Sequence, residues 1–118
     1  MRLRFIPLCA AGLLLALTSA EARQKFDGNW SIDIIGEPGR CEFGYRIPIE
    51  IDEGAIFYKG RMVNREAVGL NRAGAVAIRL TSGPHVVTGR GSLRGDHGGG
   101  EWDAPSIRCS GKWKAERH

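Results

Sequence analysis

Between Trp30 and Glu116 the chain alternates apolar and polar residues in short runs, and glycine-rich turns separate the runs. A period of two puts every second side chain on one face, as a half-buried strand does, and no stretch of the same region carries the 3.6-residue period of an amphipathic helix. This alternation limits the chain to an all-β fold. The first run is Trp30 to Ile34, with Trp30, Ile32 and Ile34 on one face. The second is Tyr45 to Ile51, where Tyr45, Ile47, Ile49 and Ile51 share a face and Pro48, on the other, removes a ladder donor and predicts a local bulge. Asp52-Glu53-Gly54 then forms a tight turn. Further runs cover Ala55 to Arg61, Glu66 to Leu70, Ala75 to Thr81 and His85 to Leu93. The turn Arg94 to Gly98 leads into a seventh that extends through Trp102, and the eighth is Gly111 to Glu116. Eight strands in a row predict an antiparallel meander closed into an up-and-down β-barrel, whose interior is either filled or holds one small ligand. Closure also removes the two edges that an open meander exposes.

The N-terminus predicts the compartment. Arg2 and Arg4 precede an apolar run from Phe5 to Leu17, and Ala20-Glu21-Ala22 offers the small residues of a cleavage site. Residues 1–22 are therefore expected to be a secretory signal peptide cut after Ala22 or Ala20, and residues 23–118 the β-barrel domain. The apolar run is too short for a spanning helix, which needs about 20 residues. Cys9 leaves with the leader, so the mature domain keeps Cys41 and Cys109. A cysteine pair in an exported domain favours a disulfide. With odd strands running up and even strands down, both cysteines fall at the top, beside the first and eighth strands. Only closure makes those strands neighbours, which brings the cysteines within the Cα separation of about 5.5 Å that a disulfide requires. The expected location is the periplasm or the exterior.

Three G-x-W units recur: Gly28-Asn29-Trp30, Gly100-Glu101-Trp102 and Gly111-Lys112-Trp113. Glycine leaves room for a large ring on an adjacent strand. Trp30, Tyr45, Tyr58, Trp102 and Trp113 are the aromatic residues expected inside the barrel. Phe26-Asp27-Gly28-Asn29-Trp30, together with Cys109-Ser110-Gly111-Lys112-Trp113-Lys114-Ala115, resembles a group of small exported β-barrel proteins of alphaproteobacteria. That resemblance covers nearly all of the mature chain and implies compartment and fold. More distantly, a G-x-W strand opening an eight-strand meander resembles the lipocalin and avidin architecture, which implies a small ligand at the open end of the barrel. The chain is shorter than those proteins and has neither a second lipocalin motif nor the ligand-contacting set of avidin.

No catalytic constellation emerges. His97-Gly98-Gly99-Gly100 spells a lipase oxyanion motif, but no G-x-S-x-G elbow accompanies it, and the stretch is expected to be a flexible turn. Gly89 to Gly95 is glycine-rich without G-x-G-x-x-G spacing, and no helix follows it. Asp96, His97, Glu101, Asp103 and His85 lack the spacing of a built metal site. The net charge of +4 is spread in both signs, with no basic run to suggest nucleic-acid binding. The expectation is a non-enzymatic, monomeric binding module with no cofactor, no nucleic-acid partner and no transmembrane span. Its irregular upper loops carry Arg40, Phe43, Arg61, Arg65 and Arg108, a rim suited to an anionic envelope or extracellular partner. The alternative is a carrier of a small apolar ligand inside the barrel. A filled interior speaks for the rim, and a connected apolar cavity speaks for the carrier.

Overall fold

The structure is a computed structural model that describes residues 25–39, 41 and 44–118. The expected leader, Arg40 and Phe43 lie outside the described residues. Nine strands follow in order: β1 (Gly28–Gly36), β2 (Gly44–Asp52), β3 (Ala55–Tyr58), β4 (Arg61–Met62), β5 (Val68–Leu70), β6 (Ala75–Ser82), β7 (His85–Arg94), β8 (His97–Ala104) and β9 (Cys109–Arg117). A 3-10 turn, Pro105–Ile107, precedes β9. The strands form one sheet in the order β4-β3-β2-β1-β9-β8-β7-β6-β5.

The sheet is all-β and antiparallel, as the alternation requires, but it is not a closed barrel of eight strands. It curls through 272° and leaves β4 and β5 as edges. The expected pairing of the first and last strands is present, from Trp30↔Arg117 to Gly36↔Gly111, but it does not close the barrel, so these strands are neighbours in an open sheet as well. The opening lies on the opposite side, and two local features produce it. The expected third strand, Ala55 to Arg61, contains a turn that the alternation conceals. Lys59 and Gly60 take φ of 51° and 77°, the left-handed pair of a two-residue hairpin, and Tyr58 faces Arg61 across it. The second feature is Asn64. Going round the sheet from β1 in either direction, successive antiparallel pairings leave β4 and β5 running the same way. The chain therefore passes from β4 to β5 without reversing. Val63 N–H still donates to Ile56 on the β3 side, while Ala67 already accepts from Arg79 N–H on the β6 side. Between them Asn64 C=O accepts from Ala67 and Val68 N–H, and its side-chain Oδ1 accepts from Glu66 N–H. This Asx-type turn breaks what would be one strand into two pieces, each paired to a different neighbour.

Two smaller expectations also change. β2 pairs with β1 in one unbroken register past Pro48, so the strand carries no bulge there. Pro48 is tolerated because β3 reaches only Glu50 to Asp52, and above that point β2 has one neighbouring strand. His97-Gly98-Gly99-Gly100 is strand β8, not a flexible turn, and the reversal before it is confined to Gly95-Asp96.

Glycines let the closed wall bend sharply. A Cβ on Gly111 would lie 1.9 Å from Ile35 O, and one on Gly100 would lie 2.0 Å from Arg90 O. Two of the three G-x-W units interlock through these positions. Trp102 covers Gly111 of β9, where a Cβ would meet its Nε1 at 2.9 Å. In return Trp113 covers Gly100 of β8 and also Gly91 of β7, with Cβ contacts of 2.7 and 2.5 Å. Above this wall Cys41 and Cys109 form the expected disulfide, with Cα atoms 5.6 Å apart.

Candidate functional site

The inner face of the half-barrel encloses a cavity of about 380 Å³. Strand alternation decides its lining: Trp30, Ile32 and Ile34 from β1, Ile47, Ile49 and Ile51 from β2, Ile56 and Tyr58 from β3. Val63, Val68 and Leu70 line it at the broken strand, and Val76, Ile78 and Leu80 from β6 face them. Val87, Leu93, Trp102 and Trp113 complete the wall. Among the described residues no polar or charged side chain is buried. The indole N–H groups do not alter this character, because each is held by a main-chain carbonyl. Trp30 Nε1 donates to Phe26 O at 2.8 Å, Trp102 Nε1 to Ile35 O at 3.1 Å and Trp113 Nε1 to Arg90 O at 3.3 Å. The walls thus offer carbon to whatever occupies the cavity, and the cost of burying an unpaired donor is avoided.

One end of the cavity is sealed. Phe26 is buried and packs with Trp30, the largest fully buried side chain among the described residues. Arg117, the partner of Trp30 across β1 and β9, fastens this floor. Its guanidinium lies 5.2 Å from the Trp30 ring and donates to Asp96 Oδ1, Lys25 O, Asp27 O and Gly95 O. The Asp27 carboxylate accepts from Glu53 and Gly54 N–H and ties the β2–β3 turn to the same floor. The other end is open, with Tyr58 38% and Leu80 44% exposed at the mouth.

The expected interior aromatics divide accordingly. Trp30, Trp102 and Trp113 are buried in the wall and Tyr58 stands at the mouth, whereas Tyr45 is 62% exposed and takes no part in the lining. The rim residues do not gather at one point. Arg61 is on the edge strand β4 and Arg65 is in the turn that breaks the barrel. Arg108 precedes β9, the middle strand of the sheet, and so lies on the far side of the mouth from Arg61. The aliphatic lining from β1, β2 and β6 was visible as the apolar face of each run. Val63, Lys59 and Arg117 carry no motif that marks them in the sequence. A Lys-Gly pair between alternating runs was the available signal for the hairpin.

The outer surface is of a different kind. A larger recess of about 850 Å³ lies between Ile35–Pro38 and the outer faces of β7, β8 and β9, and its walls carry charges of both signs, including Arg90, Glu101, Asp103 and Lys112. On the outer face of β1 and β2, Arg46 Nε and Nη2 donate to Asp33 at 2.8 and 3.1 Å. That hydrogen-bonded pair holds the Asp33 carboxyl below its ordinary value and raises the Arg46 guanidinium. Among the described residues no group of three or more His, Cys, Asp or Glu is placed to hold a metal ion, and no helix is long and apolar enough to cross a membrane. The disulfide is compatible with an oxidising, exported location. No family model, no curated protein and no solved structure matches the chain.

Proposed function

We propose that the protein is an exported, non-enzymatic binding protein that carries a small apolar molecule inside its half-barrel. The observation that supports this reading is the cavity, whose walls are aliphatic and aromatic and whose mouth is open. Ligand sites commonly occupy roughly 300–1,000 Å³, so the volume is within range. A cavity of about 150 Å³ takes one benzene, and on that scale this one has room for roughly fifteen non-hydrogen atoms. That is one short chain or two fused rings, and too little for a two-chain lipid. The rim reading has less support, because Arg108 lies across the opening from Arg61 and Arg65, so the three do not converge on one surface.

Intrinsic fluorescence offers a direct test, since Trp30, Trp102 and Trp113 all line the cavity. Titration with decan-1-ol is expected to give a saturable change in emission, and Ile78→Phe, which fills the cavity from β6, is expected to weaken it at least tenfold. Absence of a saturable change in the unaltered protein, or equal binding by the filled variant, rejects the carrier reading.

A further inference from the structure

We infer that the occupant of this cavity is a single-chain amphiphile with an anionic head, its tail among the β1, β2 and β6 side chains and its head beside the β3–β4 hairpin. This inference rests on the carrier reading and adds the ligand class to it. Below Tyr58 at the mouth, the side chains that line the cavity offer an interior group no charge, and the indole donors among them are engaged by main chain. Any polar group on the ligand must therefore sit at the mouth, where water and the rim can meet it.

The mouth has one cationic side. Tyr58 lines the cavity, and Lys59 Nζ lies 5.4 Å from its ring centre. Arg61 faces Tyr58 directly across the hairpin, so both project from the same face of the sheet. Lys59 thus lies beside the aromatic ring at which the apolar lining ends, and Arg61 stands opposite that residue on the next strand. Neither has a carboxylate within salt-bridge distance among the described residues; the ion pairs there are Arg46–Asp33 on the outer face and Arg117–Asp96 at the floor. The charge along the opening agrees. From Ala55 to Leu70, Lys59, Arg61 and Arg65 stand against Glu66 alone. The hairpin is held in place by its own geometry, since Lys59 and Gly60 occupy the left-handed conformations that a two-residue turn needs. A carboxylate at this point gains two cationic neighbours, and a cationic head is repelled by both.

Three ligands with the same ten-carbon chain separate the alternatives: decanoate, decan-1-ol and decylammonium, each titrated by tryptophan fluorescence at low ionic strength. Decanoate is expected to bind about tenfold more tightly than decylammonium, as two partly screened ion pairs allow. The double variant Lys59→Asn, Arg61→Gln is expected to abolish that preference and leave decan-1-ol affinity unchanged; asparagine tolerates the left-handed backbone at position 59. Unchanged decan-1-ol binding also shows that the variant is folded, and Arg61→Gln alone, expected to lose about half of the preference on a logarithmic scale, serves if the double variant is not. Equal binding of the two charged ligands by the unaltered protein, or a preference that survives the double variant, overturns the anionic head while decan-1-ol binding still supports the cavity. Failure of decan-1-ol to bind removes the carrier reading itself.

Discussion

The wall made by β1, β9 and β8 and the wall made by β3, β4 and β5 follow the same alternation of apolar and polar residues, yet the first is continuous and the second is broken. Three differences account for this. The strands of the first wall run for eight or nine residues and pair along their length, whereas β4 and β5 have two and three residues. In the first wall a glycine stands wherever a Trp ring or a main-chain carbonyl comes too close for a Cβ. The second wall instead has two φ-positive residues at Lys59-Gly60 and a side-chain-capped turn at Asn64, which divide its length into short pieces. The disulfide pins the first wall and nothing comparable spans the second. The cavity is the consequence. One wall is continuously paired and supplies the aromatic surface, and the other leaves the mouth and its charges.

The contrast can be broken most severely at the disulfide. It closes a loop with a sequence separation of 68, so replacing Cys41 and Cys109 by serine is expected to cost about 4 kcal/mol in denaturant unfolding. A loss under about 1 kcal/mol would mean that strand pairing alone holds the seam. Next comes a comparison of two glycines. Gly111→Ala drives a Cβ against Ile35 O and is expected to cost about 2–4 kcal/mol, because backbone has to move. Gly69→Ala, in the broken wall, meets only Arg65 O at 3.6 Å and is expected to change stability by less than about 0.5 kcal/mol. Equal effects would erase the distinction between the walls.

Arg117→Lys tests the floor that both walls share. The ammonium keeps the charge but not the planar fork that reaches four acceptors, so a loss of about 2 kcal/mol in thermal unfolding is expected. At Asn64 a smaller effect is expected. Asn64→Ala removes one side-chain hydrogen bond and is expected to cost about 0.5–1 kcal/mol, with faster amide exchange at Glu66 and no change at the β1–β9 seam. The smallest effect belongs to Asp33. Its pKa is lowered by Arg46, so its contribution is present above the ordinary carboxylate range and is lost as pH falls through the lowered value. Because the pair is solvent-screened, with the Arg46 side chain 66% and the Asp33 side chain 36% exposed, Asp33→Asn is expected to remove a shallow acid-side slope and lower the neutral-pH midpoint only slightly. A large drop at neutral pH would show that the outer face of β1 and β2 contributes more than the geometry implies.

The apolar face of every run, and with it most of the cavity lining, was legible in the sequence because side-chain direction in a strand depends only on position parity. The cysteine pair and the β1–β9 pairing are legible together, because a Cys41–Cys109 disulfide needs the first and last strands to be neighbours, whereas the closed barrel inferred from that pairing does not form. The break at β4–β5 was not. Asn64-Arg65-Glu66 has no glycine or proline, and Asn64 acts through a hydrogen bond to a neighbour two residues on, which composition does not display. The rim arginines were legible as charges on loops, but their spacing around the mouth depends on strand order.

By itself, then, the sequence determined an all-β meander with one face apolar, a pair of cysteines able to meet and glycines placed beside tryptophans. Those properties are local, or follow from parity and neighbour order. Tertiary structure decided whether the circle closed, because closure depends on the summed twist and length of every strand, and two short turns were enough to stop it at 272°. It also decided that the interior is a cavity, since an open side leaves the facing aliphatic side chains too far apart to fill the space between them.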